Sequence, residues 1–425
     1  MGAVPETFAA FLRLGLTSFG GPVAHLGYFH REFVERRRWM GAAEFADTVA
    51  LCQFLPGPTS SQVGFAIGLR RAGVAGALAA WTAFTLPSAA IMATAGWMLA
   101  AAPEVQGQGW LAGLRSFGAA VVAHAVLGMV RTLAPTVPRV ALAAAVAAAL
   151  LAAARWSGAG GAAALLQPAA IALGALVGLA AFARPVAAGA GSVGGAAQPA
   201  NPSALPRSAS AIALVMAAGV VVLASIPWSG PALAAAAARC VQAGALVFGG
   251  GHVVLPLIEQ PFTSAGWADR EAVMSGYALA QAMPGPLFTL ASYLGAAMGE
   301  PGGAPSAFLG AVLLTLSIFL PGLLLVAAAL PAWDRLRAAP RLRGALAGAN
   351  CAVIGLLAAA LVQDVLPAAA AVEGGLAWSV ILFLILLWQD RLVDWKKSFP
   401  LVPVHAPMLV TAAVAALCGQ LTLGR

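Results

Sequence analysis

The sequence predicts an all-α polytopic membrane protein made of two homologous repeats in inverted orientation, and three observations carry that prediction. The chain of 425 residues is 61% hydrophobic and only 9% charged, with a mean hydropathy of +0.89; soluble domains carry about a quarter of charged residues. Its apolar stretches reach the ~20 residues that a membrane-crossing helix needs. A ladder of motifs also recurs at a nearly constant shift. Gln53-Phe54-Leu55-Pro56-Gly57-Pro58 returns as Gln281-Ala282-Met283-Pro284-Gly285-Pro286, 228 positions on. Trp39 matches Trp267 and Ala50-Leu51 matches Ala278-Leu279 at that shift, and Phe19-Gly20-Gly21 matches Phe248-Gly249-Gly250 one position further. Such a ladder marks an internal duplication.

In chain order, Met1 to Glu6 lacks the basic region and cleavage site of a signal peptide, so the first apolar segment is expected to be retained. Charges, prolines and glycine clusters divide the chain into about thirteen apolar segments: 8 to 29, 44 to 69, 74 to 101, 110 to 130, 140 to 155, 162 to 183, 210 to 226, 232 to 258, 271 to 298, 306 to 330, 342 to 363, 374 to 389 and 401 to 421. The resulting division is an N-terminal repeat over 1–183, a flexible Gly/Ala/Pro/Ser linker over 184–209, an extra transmembrane helix over 210–228 and a C-terminal repeat over 229–425. Seven crossings separate each element from its partner, and an odd number inverts the halves. With the N-terminus cytoplasmic, most cations fall inside, as the positive-inside rule requires. Residues 30 to 43, with Arg31, Arg36, Arg37 and Arg38, break it. Either they form a basic mouth that attracts anions, or residues 44 to 69 re-enter as a hairpin; hairpins there and at 271 to 298 would make the halves parallel.

Each Pro-Gly-Pro must break its helix, because proline removes a backbone donor and glycine weakens the helix. Within hydrocarbon a break is tolerated only where the freed groups are buried in protein or line a polar cavity. A lone copy reads as a kink; paired copies in two halves read as the binding site of a repeat-built transporter. Gly57 is a plausible cap and Pro58 a good first helical residue. The free N–H groups after Pro58, the positive end of the helix dipole and the hydroxyls of Thr59, Ser60 and Ser61 would form an anion cradle without formal charge. Gln53 adds an amide. In the second half Gln281, Gly285, Pro286, Thr289 and Ser292 are the counterparts, with Leu287 and Phe288 where hydroxyls stood, so the cradle is asymmetric. The competing reading is that these hydroxyls only satisfy their own helix.

Gly20, Gly21 and Pro22, with Gly249, Gly250 and Gly251, are hinges or close-packing points, as are Pro56 and Pro284. Arg13 and Arg115 are the cations nearest the membrane interior, where a charge costs at least ~2.5 kcal/mol and so marks function by default; either could instead snorkel to the interface. Asp47 and His252 are possible proton sites, and Asn350 is a further polar candidate. Cys52, Cys240, Cys351 and Cys418 lie singly in apolar segments, and the histidines show no ligand spacing, so neither a metal nor a disulfide is expected. Walker, His-Glu-x-x-His and Gly-x-Ser-x-Gly motifs are missing, so no cofactor and no enzyme activity are expected. The net charge of +8 is an orientation signal rather than a nucleic-acid footprint.

At these motifs, namely Phe19-Gly20-Gly21-Pro22, Trp39 with Phe45 and Asp47, Gln53 through Pro58, Phe248 through His252, Trp267 and Gln281 through Pro286, the sequence resembles the chromate ion transporter family in its two-domain, long-chain form. The resemblance covers both halves. It implies a bacterial inner-membrane secondary carrier that exports chromate and confers chromate resistance, with sulfate as the look-alike anion. A proton is a candidate coupling ion, and a homodimer a candidate assembly. The rival readings are a transporter of sulfate or another oxyanion, a membrane-embedded anion reductase and an anion channel.

Overall fold

The computed structural model describes residues 2–19, 21–101, 109–156, 163–182, 207–225, 231–247, 254–298, 304–333, 340–370, 374–396 and 415–416. Among these residues all regular structure is helical. Each half opens with two helical hairpins that enter from one end of the molecule and turn back near its middle. In the first half these are α1 (Ala3–Thr17) with α2 (Gly21–Phe29), and α3 (Ala42–Phe54) with the first arm of α4 (Thr59–Ala101). α1 ends where Ser18 becomes extended (φ −91°, ψ 96°). The chain then returns, bringing Arg37 within 3.1 Å of Glu6 at the start of α1. α3 stops at Phe54, Pro56-Gly57-Pro58 makes the turn, and the first arm of α4 runs back to Arg71. α4 is interrupted at Ala72 and Gly73, where Gly73 takes φ +65°. Its second arm doubles back so tightly that a Cβ on Gly68 would lie 2.3 Å from Gly76 O.

The open ends of both hairpins share one charged cluster. Glu6 accepts from Arg37 and, at 3.0 Å, from Arg71; Glu32 accepts from Arg36 at 2.9 Å and from Arg37; Arg70 donates to Glu44. The hydrogen bond from Arg71, with the positive charges of Arg71 and Arg37, holds the Glu6 carboxyl below the ordinary carboxylate range. Arg37 and Arg71 also lie over the Trp39 ring, 5.2 and 4.9 Å from its centre. Trp39, Met40, Glu44, Ile67, Arg70 and Arg71 line a cavity of about 130 Å³. Residues 30 to 43 therefore sit at the same end as Glu6 and the Arg70-Arg71 turn. Of the two alternatives for this loop, the hairpin is the one adopted, and the first apolar segment, 8 to 29, is a hairpin as well.

The chain continues through α5 (Gly109–Leu133), α6 (Val137–Trp156), α7 (Ala163–Ala181) and α8 (Arg207–Ser225) before the pattern repeats. α9 (Ala232–Leu246) and α10 (Val254–Ser264) form one hairpin. α11 (Arg270–Ala282), capped by Asp269 through the Ala272 N–H at 2.6 Å, pairs with the 3₁₀ turn Leu287–Thr289 and α12 (Leu290–Ala297). α13 (Ala304–Ala329) answers the second arm of α4. A long element follows, α14 (Pro340–Ala360), continued by a π segment over Leu361–Val365 and by α15 (Leu366–Ala370), and then α16 (Gly375–Lys396).

The halves are inverted. On the second arm of α4, Gly76 touches Gly68 at the charged end, whereas Gly96, roughly 30 Å further along the helix, packs on Tyr293 of α12 with only 2.1 Å between a Cβ and Tyr293 O. The second-half hairpins therefore enter from the opposite end. Turning both 8 to 29 and 44 to 69 into hairpins removes two crossings from the count between partners, which leaves it odd. The repeats also differ by one residue between the Phe-Gly-Gly motif and Trp39 or Trp267. The π-helical turn His30–Arg36 absorbs that extra residue. Arg38, at φ +53°, stands where the second half has Gly266 at φ +70°.

Close glycine contacts bind the halves. α7 and α14 cross at Gly174 and Gly178 against Gly344 and Gly348, and a Cβ on Gly178 would meet Gly344 O at 2.2 Å. Gly178→Ala should therefore destabilise the protein by roughly 1–3 kcal/mol through overpacking. Gly219→Ala on α8, where nothing lies within 4 Å, should gain about 0.5–1 kcal/mol of helix propensity; thermal unfolding of the two variants in detergent compares them. Single cysteines at positions 36 and 71, in a background without native thiols, should react with an impermeant reagent from the same side of the membrane. Labelling from opposite sides would contradict the hairpins.

Candidate functional site

Both Pro-Gly-Pro turns lie at hairpin tips, and the two halves hold them in matching backbone conformations. Leu55 (φ −83°, ψ 149°) and Met283 (φ −87°, ψ 152°) end their helices alike. Gly57 and Gly285 then take φ +128° and +99°, a region that favours glycine. The tips cross-connect. Gly57 N–H donates to Val247 O at 2.7 Å, and Gly285 N–H donates to Ser18 O at 2.9 Å. Ser18 and Val247 are themselves repeat partners, each closing the helix before a Phe-Gly-Gly motif. Each Pro-Gly-Pro is thus docked on the hairpin of the opposite half.

A second reciprocal contact surrounds the first. Gly57 approaches Gly322 of α13, and Gly285 approaches Ser88 of α4; a Cβ on either tip glycine would lie 2.9 Å from Gly322 Cα or 2.7 Å from Ser88 Oγ. Gly322 and Ser88 follow prolines inside long helices, in Leu320-Pro321-Gly322 and Leu86-Pro87-Ser88. This third repeated break has a readable signal, a Leu-Pro pair in each half, but it recurs at a shift of 234 rather than 228. A longer connection between the helix arms of the second half displaces it from the ladder.

The first-half tip is the polar one. Thr59, Ser60, Ser61 and Gln62 are all buried, and the first backbone donor to be satisfied in this arm is Gln62 N–H, on Pro58 O. The N–H groups of Thr59, Ser60 and Ser61 have no partner among the described residues, as at any helix start. Gln62 straps the tip, donating from Nε2 to Pro56 O (2.8 Å) and to Gly322 O (3.1 Å). Gln62 Oε1 and Ser61 Oγ are buried without a partner, as are Ser18 Oγ and Thr85 Oγ1 of the neighbouring segments. Buried polar atoms cost free energy when unpaired, and a cluster of them fits a site built to receive a hydrogen-bonding ligand. The second-half tip is more closed: Leu287 and Phe288 are buried, Phe288 packs 5.7 Å from Phe319, and Thr289 Oγ1 donates to Pro286 O at 2.9 Å. Gln281 is buried and donates to the Tyr277 hydroxyl at 2.9 Å, and Ser292 shares a hydrogen bond with Thr315 at 2.6 Å.

The structure places Gly57, Pro58, Thr59, Ser60 and Ser61 at the first-half tip and Gly285, Pro286 and Thr289 at the second-half tip, each tip docked on the opposite half and flanked by Pro56 or Pro284. Gln281 faces inward, but Gln53 is exposed, so the two amides are not equivalent. Arg13 and Asp47 lie on exposed faces of α1 and α3. Gly21 starts α2 at φ +75°, and Pro22 is in its first turn. The side chain of Arg115, together with Gly20, Gly249, Gly250, Gly251 and His252, lies outside the described residues. Among the described residues no group of His, Cys, Asp and Glu could hold a metal ion. His25 and Gln62, which spacing alone does not single out, are fully buried beside the tips.

The family model for the chromate transporter matches residues 5–179 and 234–419, once in each half. A chromate transport protein of Pseudomonas aeruginosa is 29% identical over 375 residues, 84% of this chain and 80% of its own. A probable chromate transport protein of Synechococcus elongatus is 27% identical over 368 residues, 83% of this chain and 82% of its own. A chromate transport protein of Cupriavidus metallidurans is 41% identical over 87 residues, 20% of this chain and 22% of its own. No solved structure matches the chain significantly. With a match in each of its two repeats, the chain belongs to the chromate transporter family and is a membrane transporter rather than an enzyme.

Proposed function

We propose that the protein exports chromate across the bacterial inner membrane and so confers chromate resistance, binding the dianion at midmembrane between the two Pro-Gly-Pro tips. The observation that carries this reading is the first-half tip, where unpartnered N–H groups of Thr59, Ser60 and Ser61 sit beside buried hydroxyls in a break docked on the other half. Chromate is a tetrahedral dianion whose oxygens only accept hydrogen bonds, which suits a cradle of donors at a helix start. The names of the full-length relatives support the substrate. Gln281 and Thr289 contribute from the second half, and Gln53 and Arg13 would act from the exposed faces on which they stand.

The charged cluster of Arg36, Arg37, Arg70 and Arg71 marks its end of the molecule as cytoplasmic, with the N-terminus inside. Export then follows from physics. A membrane potential negative inside drives a dianion outward by roughly 4.6 kcal/mol per 100 mV for its two charges. Sulfate has the same shape and charge, so discrimination by geometry is weak and sulfate competes. The proton is the coupling ion of this reading, with Asp47 and His252 as candidates from the sequence.

Uptake of labelled chromate by everted vesicles, energised and with sulfate as competitor, tests the proposal. Energy-dependent accumulation supports export; movement of sulfate without chromate would replace the substrate, and equilibration without accumulation would make the protein a channel. The triple variant Thr59→Ala, Ser60→Ala and Ser61→Ala should reach the membrane normally and lower transport about tenfold or more, the loss of roughly one charge-assisted hydrogen bond. Full transport by that variant would remove the cradle.

A further inference from the structure

We propose that His25 is the proton-binding site of this carrier, taking up one proton on Nδ1 when the dianion occupies the tips; the inference rests on the transport reading above. His25 lies on α2, wholly buried. Its Nε2 is 3.1 Å from Ser18 O, and a carbonyl oxygen can only accept, so Nε2 carries the hydrogen and Nδ1 holds a bare lone pair. That Nδ1 is buried without a partner. Ser18 O is also the acceptor of Gly285 N–H. The imidazole is therefore fixed at the contact where the second-half tip docks on the first-half hairpin.

Among the described residues no charged side chain contacts the ring. From α4, Phe84 meets the ring edge-on at 5.3 Å, with the hydroxyls of Thr85 and Ser88 on the same stretch. From the loop after α1 comes Ser18, and the ionisable residue of that helix nearest its tip, Arg13, is exposed. From the second half comes the Pro284-Gly285-Pro286 turn, which has no ionisable side chain. Along its own hairpin the next titratable groups are Tyr28, whose ring lies under Arg31, and those of the π segment, where His30 pairs with Glu35 and where Arg36, Arg37 and Glu32 bond one another at the end of the molecule. Val254 occupies the position of His25 in the second half, so the counterpart position there does not titrate.

An oxyanion oxygen brought to that Nδ1 would meet a bare lone pair and be repelled; a proton between them turns the repulsion into a charge-assisted hydrogen bond. A buried dianion also needs compensating charge. Anion and proton therefore favour each other's binding reciprocally. The cycle balances: imidazole, one proton and the dianion combine on one side, both ligands leave on the other, and one net negative charge moves. Export by the membrane potential persists at half the driving force of the bare dianion.

The test uses the full chain in proteoliposomes clamped at zero potential with valinomycin and equal potassium. In wild type, an interior more alkaline by one pH unit should accumulate chromate, up to about tenfold at one proton per anion. His25→Gln keeps a donor for Ser18 O and removes the titrating atom. It should slow chromate exchange by less than about tenfold while gradient-driven accumulation falls to the level of protein-free vesicles. Three results overturn the proposal: accumulation in His25→Gln at wild-type level, indifference of wild-type exchange to the pH gradient, or loss of exchange in His25→Gln together with accumulation, which would make the residue structural. Absence of any chromate movement by wild type would instead sink the transport reading, and this one with it.

Discussion

Two hydrogen bonds, from Gly57 N–H to Val247 O and from Gly285 N–H to Ser18 O, set the constraint that the rest of the structure obeys. Each joins a helix break in one repeat to a helix end in the other, so each tip glycine finds its backbone acceptor in the opposite repeat. In hydrocarbon an unsatisfied amide costs several kcal/mol, and a partner arriving from the opposite half removes that cost at each tip glycine. Inversion of the halves follows from that need. α8 matters for the same reason, since a single additional passage between the repeats is what presents the second set of hairpins from the far end. Glycines at Gly15, Gly96, Gly244 and Gly295 then allow the backbones to approach closely enough for the tips to meet.

The duplication and the Pro-Gly-Pro breaks were legible because both are written in residue types whose backbone chemistry is unambiguous. The first hairpin was not, because Phe19-Gly20-Gly21-Pro22 is equally compatible with close packing and with a reversal, and hydropathy over 8 to 29 has the length of one crossing. Tertiary partners decide it: Glu6 pairs with Arg37 and Arg71 only if the chain returns. Those pairs also explain the cationic loop that stood against the positive-inside rule. Within the site, Thr59, Ser60 and Ser61 could be chosen from the sequence as hydroxyls after a break, whereas Gln62 and His25 could not. Their importance lies in which atoms remain unpaired after packing, and no spacing rule contains that information.

Asymmetry between the repeats carries the functional argument further than their symmetry does. The backbone at the two tips is nearly the same, yet the first presents hydroxyls and an amide where the second presents Leu287, Phe288 and Leu290. The neighbours of each tip glycine differ too, Gln62 and Gly322 beside Gly57 and Ser88 beside Gly285. A symmetric pair of cradles would offer two anion sites of like charge at close quarters, which repel. On the proposed reading, one polar tip and one largely apolar tip offer a single anion site with an apolar wall.

A site without formal charge suits a carrier better than one with a fixed arginine at its centre. A permanent cation would hold a dianion strongly through every conformation, and release would have to repay that attraction in a low dielectric. Backbone N–H groups and hydroxyls bind more weakly, and when emptied they leave unpaired dipoles rather than an uncompensated charge. A titratable group supplies charge only while the anion is present, which preserves both capture and release. Four arginines, Arg36, Arg37, Arg70 and Arg71, are accordingly held at one end of the molecule by Glu6, Glu32 and Glu44, and on the proposed reading the charge at the tips comes and goes with the proton.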